Sequence, residues 1–129
     1  MLVLSHPVVQ ALARLCLASP FLAAGIYKLV DWQAGEVEMA HSGLAPAWLF
    51  NALVLVTELV GAALVITGRR IWLGAGALGI FTVLTTFIAH RFWLFDGSEA
   101  VSEFNAFLEH AAIAAAFVLV TTAARSKVS

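Results

Sequence analysis

Four windows of about twenty largely apolar residues, 8–29, 47–67, 71–92 and 104–124, take up most of this sequence. A helix of about 20 such residues crosses a hydrocarbon layer about 30 Å thick. Lipid offers the backbone no hydrogen-bond partner, so a chain built this way can only fold as a set of spanning helices. The fold class is therefore all-α, a four-helix transmembrane bundle with neighbouring spans antiparallel. At 129 residues the whole chain, 1–129, is a single membrane domain, because two separate units would each be too small to close a core.

Composition agrees. Hydrophobic residues make up 62% and charged residues 12%, with a mean hydropathy of +0.96, against roughly a quarter charged in a soluble domain. A net charge of -1 with seven scattered cations gives no basic face for nucleic acid. The single cysteine, Cys16, excludes a dithiol pair or a cysteine zinc site and is expected to be a small buried residue of the first span. That span is interrupted by Gln10 and Arg14 and lacks a basic leading region, so it reads as a mature helix rather than a cleaved signal.

The breaks between spans are turns. Gly68-Arg69-Arg70 makes a short hairpin and Asp96-Gly97-Ser98 opens a longer acidic loop. The stretch 31–46, with Trp32, Glu36, Glu38, Met39 and His41, is a short helix or loop at the interface, and Pro46 opens the second span. Arg14, Arg69, Arg70, Arg125 and Lys127 fall at one end. Lys28 and Arg91 lie at the other, with most of the acids. Cations are retained inside, so both termini are expected to be cytoplasmic and the chain multi-pass in the cell inner membrane. Trp32, Trp48 and Trp93 mark the outer interface and Trp72 the inner one.

Two patterns mislead. Gly74-Ala-Gly-Ala-Leu-Gly79 matches a dinucleotide fingerprint, but that motif needs a strand before it. Inside an apolar span the glycines serve helix packing. His90 and His110 suggest a bis-histidine haem, yet helical rise puts them about 30 Å and 20 Å from the cytoplasmic ends of their spans. Axial ligands of one haem should be closer in depth, and no metal site is expected. His6 and His41 are expected at the interface, solvated.

The informative residues are the ionisable groups at membrane depth, each of which must face the interior, pair or snorkel. Arg14 and Glu58 are expected at similar depth in the inner half, as an ion pair with Gly61 permitting close approach. It is either a clamp on helix register or a proton or quinol site. Lys28, His90, Arg91, Glu109 and His110 form an outer polar cluster able to bind an anion, a quinone headgroup or a proton in transit. The alternative is that Lys28 and Arg91 snorkel to headgroups.

Across these segments the sequence resembles the DoxX family of small four-helix membrane proteins. The resemblance rests on Arg14 with Phe21-Leu22-Ala23-Ala24-Gly25-Ile26-Tyr27-Lys28-Leu29, on Thr57-Glu58-Leu59-Val60-Gly61-Ala62, on His90-Arg91-Phe92-Trp93 and on Phe107-Leu108-Glu109-His110. Many relatives carry Lys-Asn and glycines where this chain has Glu109-His110 and alanines. The resemblance implies redox physiology, since the family is named after a component of a quinol-oxidising or thiosulfate:quinone oxidoreductase system and some members associate with oxidative-stress proteins. The first expectation is an accessory subunit of a membrane redox complex, touching quinone and co-purifying with partner subunits. Rivals are a stand-alone quinone-binding oxidoreductase and a small transporter or assembly factor that would need to form a homo-oligomer.

Overall fold

The structure, a computed structural model, describes residues 2–125; Lys127 lies outside them. Five helices run in order, α1 (Pro7–Val30), α2 (Trp32–His41), α3 (Ala47–Thr67), α4 (Ile71–Ala89) and α5 (Gly97–Arg125), with one 3-10 turn at Phe92–Leu94. No strand occurs among the described residues. Four of the helices are long and apolar enough to cross a membrane, and α2 is a short helix between the first two of them, where a short helix or loop is expected.

The ends of the helices follow local chemistry. Asp31 caps α2 by accepting from the Ala34 N–H at 3.0 Å, and Gly68 closes α3 with φ +74°, a left-handed turn that costs glycine little. Inside α1, Pro20 cannot donate to the carbonyl four residues back. The Ser19 hydroxyl donates to that same Cys16 carbonyl at 2.8 Å, so α1 continues unbroken through the proline. Two boundaries differ from expectation. α4 ends at Ala89, and α5 begins seven residues before 104 because Glu99 in its first turn favours a helix N-terminus.

The spans pack α1 on α3, α3 on α4 and α4 on α5. Phe21 closes the ring by meeting Phe117 of α5 edge-on at 5.5 Å and Phe81 of α4 at 6.3 Å. The core is small, comprising Ala18, Phe21, Ala62, Val65, Ala75, Leu78 and Phe117. Ile80, Leu84 and Leu119 are each 60% or more exposed, as are many other large apolar side chains. A soluble protein could not leave so much apolar surface in water; a membrane protein presents it to lipid. Cys16 lies on that surface too, exposed rather than buried.

Small residues set the helix spacing, as expected where lipid supplies no drive to associate. Leu78 of α4 seats against Gly61, and Gly74 lies on the Gly61 carbonyl and Leu64, which disposes of the dinucleotide reading. Gly25 of α1 meets Leu59 and Glu58 of α3. Arg14 lies beside Gly68. These two contacts fix how α1 and α3 slide past each other, and with them the polar sites.

Candidate functional site

Arg14 and Glu58 do not pair. Arg14 is level with Gly68 at the end of α3, while Glu58 is level with Gly25, about 15 Å of helix rise away. Aligning the start of α1 with the end of α3 put the two carboxylate and guanidinium levels together. In the fold α1 instead projects beyond the end of α3, so Arg14 sits at the interface and Glu58 lies toward the end that α2 covers. Gly61 admits Leu78 of α4 rather than an arginine of α1.

Glu58 is buried against Lys28. The Lys28 ammonium donates to Glu58 Oε1 at 3.4 Å, with both side chains about 95% buried. The same ammonium lies 3.4 Å from Glu38 Oε2 of α2, whose side chain is half exposed. Lys28 therefore does not snorkel; it ties three helices together at one point. Glu58 Oε2 and Asn51 Oδ1 are buried with no hydrogen-bond partner. Asn51 is fully buried about two turns of α3 further toward that end of the bundle, where its amide donates to the Trp32 carbonyl at 3.2 Å. Glu38 and Asn51 were missed as site residues because nothing in the local pattern shows that α2 folds back over α3.

The remaining outer residues separate. His90 and His110 come together, their rings 4.6 Å apart and tilted by 41°. Arg91 and Glu109 are exposed, and their side chains make no hydrogen bond or ion pair with the described residues. The depth argument against a histidine pair fails because His90 is not helical. It caps α4 with φ -113° and ψ 64°, and the chain turns there, so its ring is not carried up the axis at the helical rise. Rings already in contact leave no room for a macrocycle between them. No group of three or more His, Cys, Asp and Glu among the described residues is arranged for a metal ion.

Each imidazole is oriented through Nδ1. His90 Nδ1 bonds to Glu103 Oε2 at 2.9 Å, and His110 Nδ1 to the Ala106 carbonyl at 2.7 Å. A carbonyl only accepts, so the proton of neutral His110 is on Nδ1 and Nε2 is the acceptor. An ionised Glu103 imposes the same arrangement on His90. The result is two neighbouring imidazoles, each holding an acceptor nitrogen with no hydrogen-bond partner among the described residues. Aromatic rings of α4, the turn and α5 pack nearby, with Phe92 edge-on to Phe104 at 5.0 Å and to Phe107 at 5.4 Å. Glu103 falls in the acidic stretch that the sequence leaves ahead of a span beginning at 104; the helical start of α5 at Gly97 brings it onto the helix.

The family model described as DoxX matches residues 9–91, which takes in α1 to α4 and stops before α5. No curated protein and no solved structure matches the chain.

Proposed function

The chain belongs to the DoxX family of membrane proteins, and from that premise we propose that it is an accessory subunit of a quinone-linked redox system in the cell inner membrane. The observation that supports this reading is the His90 and His110 pair. A carboxylate or carbonyl on Nδ1 leaves Nε2 as a proton acceptor of fixed direction. A quinol bound here would supply two electrons and two protons. His90 Nε2 and His110 Nε2 would each accept one proton, and the electrons would pass to a redox centre of a partner subunit. The phenylalanines beside the pair offer edge and face contacts to a quinone ring.

The test is purification of the full chain in mild detergent from its native membrane, followed by extraction of quinone and identification of co-eluting proteins. Bound quinone and a redox subunit are expected. His90→Ala should cut quinol-dependent electron flow through that complex by about a hundredfold, while Arg91→Gln leaves it within twofold. Electron flow unchanged by His90→Ala, or a preparation without quinone or companion subunits, overturns the reading. Quinone turnover by the isolated chain alone would make it an oxidoreductase in its own right.

A further inference from the structure

At the opposite end of the bundle the helices leave a second feature, independent of the histidine pair. A groove of about 640 Å³ opens between α1, the α3–α4 turn and the last turns of α5, with Arg14, Thr67, Gly68, Ile71 and Val120 in its walls. It adjoins a second hollow of about 480 Å³ beside Arg70, Trp72 and Arg125. That hollow shares Trp72 and Thr121 with a furrow of about 490 Å³ running down the seam of α4 and α5 past Gly76 and Gly79. The walls are mostly apolar, and the rim is cationic.

Three observations say what fills it. Arg14, Arg69, Arg70 and Arg125 gather at this end, whereas no Asp or Glu among the described residues does; Glu58 is about 15 Å up α3. Arg14 Nε is buried with no hydrogen-bond partner. No side chain caps α4, so the orphan N–H groups of its first turn, at Ile71 and Trp72, add the positive end of a helix dipole to the same rim. An anion is wanted at the rim and hydrocarbon along the grooves beneath it. We infer that this end of the bundle binds one acidic diacyl phospholipid, with its phosphodiester at Arg70, Arg125 and Arg14 and its acyl chains in the grooves on either side of α5.

The experiment is native mass spectrometry of the full chain in detergent, delipidated and titrated with phosphatidylglycerol or with phosphatidylcholine of the same acyl chains. Phosphatidylglycerol should bind at least tenfold more tightly. Arg14→Gln, Arg70→Gln and Arg125→Gln should each weaken it about fivefold, and Arg91→Gln at the far end should not. Arg70 and Arg125 are exposed, so those two variants carry the test if Arg14→Gln fails to fold, with Arg14→Lys as its folded counterpart. Equal binding of the two lipids overturns the inference, as does an equal loss in Arg91→Gln. So does displacement by millimolar inorganic phosphate, which would mean an anion site alone. Light scattering that finds a dimer unable to take up lipid would assign the groove to a second copy instead.

Discussion

Among the residues, the buried pair of Lys28 and Glu58 governs stability most directly. Two charges about 95% buried are tolerable only together, because removing one leaves the other without compensation in a medium that cannot solvate it. Lys28→Met should therefore cost about 3 kcal/mol or more of unfolding free energy, read as a lower midpoint in a denaturing-detergent titration. The double variant Lys28→Met with Glu58→Leu should recover most of that loss. If the single and double variants are equally unstable, the pair is not what holds α1 to α3. The sequence identified both residues as ionisable groups at membrane depth, but it left snorkelling open for Lys28 and assigned Glu58 a different partner, Arg14. Which of two cations reaches a carboxylate depends on how far one helix slides along another. That displacement is fixed by contacts such as Gly25 on Leu59, and these come from distant parts of the chain.

At the level of elements, α2 decides whether that pair stays closed. It has little of its own to hold it, for only Gly35 and Met39 are buried. It is fastened by Lys28 to Glu38, by Asn51 to the Trp32 carbonyl and by the flat face at Gly35, where a side chain would collide with the Asn51 amide. Gly35→Leu should lift α2 from α3 while the four spans remain assembled. Hydrogen exchange would then rise at least tenfold over residues 32–41 and stay slow in α3 and α4. Uniform slow exchange would show that α2 is held by other contacts. The spans were legible because apolar length is a local property, and α3 begins and ends where the sequence places it. The start of α5 was not, since the acids at Glu99 and Glu103 suggest a loop when counted as charge and a helix N-terminus when counted against the dipole.

For the molecule as a whole, the folded positions strengthen the charge asymmetry that sets orientation. Lys28 is neutralised by carboxylates and buried, so it no longer counts as a loop cation. The tally among described residues becomes Arg14, Arg69, Arg70 and Arg125 at one end against Arg91 alone at the other. Positive residues near span ends are retained in the cytoplasm, and that leaflet carries the negative surface potential which acidic lipids create. If the arginine end is cytoplasmic, as the cation count predicts, the groove faces that leaflet and the histidine pair faces the outer one. With Cys16→Ser removing the exposed native thiol, Ser98→Cys in the first turn of α5 should react with a membrane-impermeant maleimide on intact cells. Ser5→Cys, ahead of α1, should react only after permeabilisation. The reverse pattern would put the arginine end outside, and it would leave the groove facing the leaflet poorer in the lipid it is built to hold.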